Sequence, residues 1–144
     1  MRVLVPLAEG AEEMEAVIIV DVLRRAEWEV VMAGLSEGPI TASRGVRLLP
    51  DVAWDAIDVF GFDMIVLPGG LGGTEVMSGD DRVLEAIRVF DADSDKWGAA
   101  VCAAPQVLQA AGVIGERFVT CHPGARANMQ TGLLRDDRSQ NAPR

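Results

Sequence analysis

The sequence has no tyrosine, four phenylalanines, one histidine and two cysteines in 144 residues. Two cysteines, Cys102 and Cys121, are too few to brace a secreted disulfide scaffold. Met1 to Leu7 runs at once into acidic residues and does not read as a secretion signal. Both thiols are therefore expected to be reduced, in a cytoplasmic protein. A single histidine, His122, means that any imidazole base or thiolate partner is this residue. Cys121 and His122 have no further ligands at metal-binding spacing, so no metal site is expected. The longest unbroken apolar run, Ala99 to Ala104, falls far short of the roughly 20 residues that span a bilayer. There is no basic run. The 13 Lys and Arg stand against 22 Asp and Glu, a net charge of -9, which argues against a nucleic-acid or membrane partner. Neither G-x-G-x-x-G behind the first strand nor G-x-x-x-x-G-K-[ST] occurs, so a nucleotide site is not expected.

What is present is apolar enough, at 49% hydrophobic residues, for one domain with a real core. Short apolar runs at 3–7, 27–33, 64–67 and 97–101 read as buried strands. Periodic segments at 12–26, 80–90 and 105–111 read as helices, 34–45 as a loop or short hairpin, and 118–121 as one more strand. Strands alternating with helices predict a three-layer α/β fold, doubly wound around a mainly parallel sheet. The domain is expected over residues 1–132, with a polar tail at 133–144.

Ligands of such sheets sit beyond the carboxyl ends of the strands. Three loops lie there, at 8–15, 68–74 and 102–105. On a helical wheel Ile18, Ile19, Val22 and Ala26 fall within about 60° of Glu15, which puts this acid on an apolar face in the first helical turn. There it either complements the helix dipole or serves as a carboxyl able to hold or share a proton. Val17 and Val20 lie on the other side and are expected to meet a second copy of the chain. The run Leu67-Pro-Gly-Gly-Leu-Gly-Gly either is a tight turn or presents backbone amides to an anion. Trp97-Gly-Ala-Ala-Val-Cys-Ala-Ala-Pro carries Cys102 from a small-residue strand into a helix. Such a turn holds either an inert buried thiol or a nucleophile on a strained elbow, its pKa lowered by the helix end.

Together, Gly10-Ala-Glu-Glu-Met-Glu15, Leu67-Pro-Gly-Gly70, Ala100-Val-Cys-Ala-Ala-Pro105 and Thr120-Cys-His-Pro123 resemble the ThiJ/PfpI superfamily, a class I glutamine amidotransferase-like fold. The likeness is to the branch of the parkinsonism-associated deglycase, in order and spacing, from Met1 to about Gly132. It implies a flavodoxin-like sandwich and a homodimer. It implies that Cys102 is the nucleophile, Glu15 its protonated partner and His122 the nearby imidazole. Gly70 and Ala103 match oxyanion-hole amides, and Ser43-Arg44 and Arg25 match positions whose arginines approach the site across the dimer. The implied activity needs no cofactor: conversion of methylglyoxal to lactate (a glyoxalase III reaction) or removal of early glycation adducts from proteins, a lyase or hydrolase. Oxidative-stress sensing or chaperoning through the same cysteine is the alternative, as is a member with little activity. Gly98 departs from the branched residue usual in the family's strand. Leu133 to Arg144 matches none of the further strand, turn and helix that usually follow, so a C-terminally truncated member is expected.

Overall fold

The structure, a computed structural model, describes residues 1–135. Strand β1 (Arg2–Leu7) leads into helix α1 (Glu13–Arg25) and strand β2 (Glu29–Gly34). A small antiparallel hairpin follows, β3 (Ile40–Thr41) with β4 (Arg47–Leu48), and then β5 (Val52–Ala53). The chain continues through β6 (Met64–Leu67), α2 (Leu71–Ser78), α3 (Asp81–Ala92), β7 (Trp97–Ala100) and α4 (Pro105–Ala111). The central sheet has the order β5-β2-β1-β6-β7, and every neighbouring pair is parallel. This is the doubly wound α/β sandwich that the alternating pattern predicts.

Alternation along β1 builds both layers, since successive side chains point to opposite faces. Val3 and Val5 pack with Val20, Val30 and Val66 on the α1 side. Leu4 joins Ile65, Leu67, Phe62, Ile87 and Phe90 on the side covered by the other helices. Asp80 caps α3, its side chain accepting the amide of Arg82, and the buried stripe Val83, Leu84, Ile87, Phe90 follows at helical spacing.

Three expectations change. The buried stripe of α1 is Glu13, Ala16 and Val20, with Ile19 and Leu23 half-buried, about a third of a turn from the face centred on Glu15. Ile18 and Val22 point outward, 57% and 54% exposed. Val20 is therefore corrected from an interface residue to a core residue, while Val17 does lie on the surface. Apolar residues nearly encircle this helix, so hydrophobicity alone does not select its face; small Ala16 against the sheet does. Second, the glycine-rich segment continues into α2, a helix the pattern hides because Gly72 and Gly73 lower helix propensity. Third, β8 (Phe118–Val119) does not join the main sheet. It pairs in parallel with β9 (Leu133–Leu134), inside the segment expected as tail; residues 136–144 lie outside the described residues. Among the described residues, no helix is long and apolar enough to cross a membrane.

Candidate active site

The carboxyl ends of β1, β6 and β7 bring the three predicted loops together. After β7 the chain turns sharply at Cys102, whose φ of 57° lies in the left-handed region. For a residue with a side chain this conformation costs about 1–3 kcal/mol and persists only where the surroundings enforce it. Here they do. The Val101 amide donates to Leu67 O at 3.2 Å, Ala104 to Val101 O at 2.9 Å, and His122 to Cys102 O at 2.7 Å. Small residues at 98–100 and at 103–104 let the elbow form, and Pro105 opens α4.

Glu15 reaches this elbow from α1. Side chains on a helix lean toward its N-terminus, so an acid in the first turn projects over the helix end into the neighbouring loop. Glu15 Oε2 accepts the Gly69 amide at 2.8 Å, while Gly69 O accepts the Glu12 amide at 3.0 Å. Glu12 caps the helix, its Oε2 accepting the Glu15 amide at 2.8 Å. A Cβ on Gly69 would stand 2.5 Å from Glu15 Oε2, 2.6 Å from Cys102 Cβ and 3.2 Å from Cys102 Sγ. The missing side chain at position 69 is what lets carboxylate and thiol meet. Gly70, with φ of 90°, lies against Glu12 N and Gly10 O, each within 2.6 Å of the Cβ it lacks.

Cys102 Sγ is hydrogen bonded to Glu15 and faced by the amides of Gly70 and Ala103. Burial pushes this thiol up, and the Glu15 carboxylate pushes it further; the two amides pull weakly the other way. Of the two readings left open for this turn, a thiol lowered by the helix end is the one that fails on the sign of the shift, because desolvation and the adjacent carboxylate outweigh the two amides. Burial also pushes the half-buried Cys121 thiol up, against the pull of Arg126.

An open cleft of about 440 Å³ lies over the elbow, lined among others by Glu12, Ser43, Arg44, Gly70, Cys102 and His122. His122 Nδ1 accepts the Gly124 amide at 3.0 Å, so the neutral ring carries its proton on Nε2. Arg25 is not part of this assembly in the chain itself. It sits at the far end of α1, about 15 Å from Glu15 along the axis, and pairs with Asp21 at 2.8 Å. A residue that the sequence reading passed over is Glu13, only 8% exposed. It accepts Ser43 Oγ at 2.7 Å and the Arg44 amide at 2.8 Å, tying the β3–β4 turn to α1. The signal for it is weak in one sequence, because three acids in a first turn read equally well as dipole complements. Among the described residues, no group of three or more His, Cys, Asp or Glu is arranged to hold a metal ion. A second cavity of about 350 Å³ lies beside Leu71, Thr74, Ser78 and Gln106, and no cysteine or histidine lines it.

A strained cysteine, an acid in hydrogen-bond contact with it and two convergent amides define a cysteine-centred site at the strand ends of an α/β sandwich. The chain matches the DJ-1/PfpI family over residues 1–138 and belongs to it. It is 43% identical over 134 residues to the Parkinson disease protein 7 homolog of Danio rerio, covering 91% of this chain and 70% of that protein. It is 36% identical to the glutathione-independent glyoxalase DJR-1.2 of Caenorhabditis elegans, over 86% of this chain and 65% of that one. It is 33% identical to the deglycase PYRAB04690 of Pyrococcus abyssi, over 90% and 76%. The crystal structure of Drosophila melanogaster DJ-1beta superposes with a TM-score of 0.90 at 39% identity, covering 94% of this chain and 74% of that one. The chain spans only 28% of the length of Arabidopsis thaliana protein DJ-1 homolog B and 67% of Drosophila melanogaster protein dj-1beta.

Proposed function

We propose that this chain is a cofactor-independent cysteine enzyme that converts α-oxoaldehydes such as methylglyoxal to hydroxy acids, and removes the early adducts such aldehydes form on proteins. The observation that carries this reading is the contact between Cys102 Sγ and the Glu15 carboxylate under two backbone amides. Relatives named glyoxalase and deglycase support the same class of function.

The reaction balances without an external oxidant. Cys102 Sγ attacks the aldehyde carbon, and its proton passes to Glu15, which thereby becomes the protonated acid that the family resemblance implies. The new oxyanion faces the amides of Gly70 and Ala103 and takes the proton back, giving a hemithioacetal. Glu15, again a carboxylate, removes the former aldehyde hydrogen and returns a proton to the adjacent carbon through an enediol. His122 supports this step as an Nε2–H donor to the second oxygen. The aldehyde carbon is now a thioester and the ketone carbon an alcohol, so one carbon is oxidised and its neighbour reduced. Water cleaves the thioester, releasing the hydroxy acid and restoring the thiol.

We further assign the outward apolar row of α1, Met14, Val17, Ile18 and Val22, as the contact with a second copy of the chain. The test of the activity is direct. Purified protein incubated with methylglyoxal is followed by proton NMR for lactate, beside a Cys102→Ala variant. Lactate formed by the unmodified chain alone supports the enzyme. Equal rates in the two proteins end this reading.

A further inference from the structure

The second cavity takes no part in the reaction at Cys102, yet it adjoins it. Leu71 lines both spaces, so they meet at the first turn of α2. At about 100° per residue, Thr74, Glu75 and Ser78 fall within about 60° of Leu71, on one face of that helix. This face lines the cavity, and Gln106, in the first turn of α4, and Asn128 complete the lining. Gln106 Nε2 donates to Ala103 O at 3.3 Å, and the Ala103 amide faces Cys102, so the cavity wall and the reacting sulfur share the start of α4. Among the described residues that line the cavity, every one except Leu71 carries a hydrogen-bonding side chain, and none is a cation or an aromatic ring. Thr74 stands out. It is only 3% exposed, and its hydroxyl has no hydrogen-bond partner among the described residues. Gly70 O, the acceptor such a hydroxyl takes within its own helix, receives the Thr74 amide at 2.8 Å but not the hydroxyl. Buried hydroxyls are nearly always paired, and this one borders a space that a polar ligand fits.

We propose that this cavity is a subsite for the neutral, hydroxylated carbon chain of sugar-derived oxoaldehydes, whose dicarbonyl end lies at Cys102. This rests on the activity proposed above and adds a substrate class to it. The class follows from the wall. Two hydroxyls, a carboxylate and two amides offer donors and acceptors together, which suits hydroxyl groups, and no cation is present among them to hold an anionic tail. From Leu71 to Glu75 is about one helical turn, roughly 6 Å along the axis, a length that a few hydroxylated carbons span.

The test compares two aldehydes on one thiol. Methylglyoxal ends in a methyl group, whereas 3-deoxyglucosone carries the same dicarbonyl end on a chain with three hydroxyls. Each protects Cys102 from iodoacetamide by adding reversibly to the sulfur, and peptide mapping keeps Cys121 out of the count. The half-protecting concentration of each is read for the unmodified chain and for Thr74→Val, which keeps the side chain's shape and removes its hydroxyl. The variant is expected to raise that concentration for 3-deoxyglucosone roughly two- to tenfold, the worth of one hydrogen bond, and to leave it unchanged for methylglyoxal. Thr74→Ser, which keeps the hydroxyl, is expected to match the unmodified chain. A merely structural role for Thr74 would move both aldehydes alike. An unchanged 3-deoxyglucosone value in Thr74→Val overturns the proposal, as does an equal rise for both aldehydes, and as does failure of 3-deoxyglucosone to protect Cys102 at all. Gln106→Leu, on the opposite wall, is read by the same criteria and keeps the test decisive if Thr74→Val does not fold. Protection needs no turnover. Lactate formation from methylglyoxal is measured in parallel, and its absence counts against the enzyme and not against the subsite.

Discussion

Replacing Gly69 by alanine inserts one methyl group between the acid and the thiol. The backbone at Gly69 is not left-handed, so alanine is allowed there and by itself stiffens the unfolded chain. The damage is local. The new Cβ stands 2.5 Å from Glu15 Oε2 and 2.6 Å from Cys102 Cβ, whereas ordinary contact begins at 3.4 Å. Cys102 is pinned by three backbone hydrogen bonds around the elbow. The carboxylate, the free end of a side chain, yields by about 0.9 Å, and the clash with Cys102 Cβ is relieved only by a shift of the pinned elbow of about 0.8 Å, so both partners of the contact are displaced. A displacement of about 1 Å in a reacting group costs on the order of 100-fold in rate, or about 2.7 kcal/mol of barrier. The expected result is a fall of roughly 100-fold in kcat/KM for methylglyoxal. The thiol titration also moves down in pH, because a carboxylate that held the proton on sulfur has been pushed away. Gly98→Ala is the control. It lies on β7, nothing stands within 4 Å of its added Cβ, and its φ is ordinary. It is expected to keep full activity. The reasoning is refuted if Gly69→Ala keeps more than half of wild-type kcat/KM with an unchanged thiol titration while remaining folded by circular dichroism.

Further predictions concern charge and packing. Glu15→Gln leaves burial in place but removes the anion, so Cys102 is expected to titrate at lower pH than in the wild type, read by iodoacetamide rate against pH, while lactate formation falls roughly 10²- to 10⁴-fold. Glu13 and Asp80 are held below their ordinary values, chiefly by Ser43 and Arg82 respectively. Their contribution to stability is present above the ordinary carboxylate range and is lost as pH falls through their folded-state values. Asp80→Asn should therefore flatten the acid side of a plot of Tm against pH. Val17→Asp should yield a folded monomer by sedimentation, with a Tm lowered only by the loss of the partner's stabilisation, whereas Val20→Asp, which buries an unpaired carboxylate at a position 6% exposed, should fail to fold cooperatively.

Four of the five sheet strands, β1, β2, β6 and β7, were readable because each is a short, nearly continuous apolar run, the pattern a parallel sheet buried on both faces demands; the edge strand β5, two exposed residues long, offers no such run. Helix α4 was readable to the residue because Pro105 opens it and Gly112, with φ of 78°, closes it. The face of α1 was not, since Val17, Ile18, Ile19, Val20 and Val22 leave no polar side to orient the wheel. Which of them turn inward depends on how closely Ala16 approaches the sheet and on Ser43, some 30 residues away, meeting Glu13. The same limit applied at the site. The local motifs around Cys102, Glu15 and Gly70 were visible as motifs. The sign of the Cys102 shift was not, because a helix end is a feature of the local chain, whereas desolvation and the carboxylate come from elements far apart in it.

The glycines explain why so little chemistry is written in side chains here. A Cβ on Gly10 would meet Gly72 Cα at 2.9 Å, one on Gly73 would meet Ala11 Cα at 2.8 Å, and one on Gly70 would meet Glu12 N at 2.5 Å. The loop after β1 and the loop after β6 therefore cross backbone against backbone, in a space no side chain shares. That crossing sets the height at which Glu15 leaves α1 and the direction of the Gly70 amide, and through Gly69 it sets the gap to Cys102. Ser43, on the cleft wall, is half-buried and touches the reaction only through what it holds. It follows that a single methyl group added at the crossing, as in Gly73→Ala, is more damaging than Ser43→Ala on the wall.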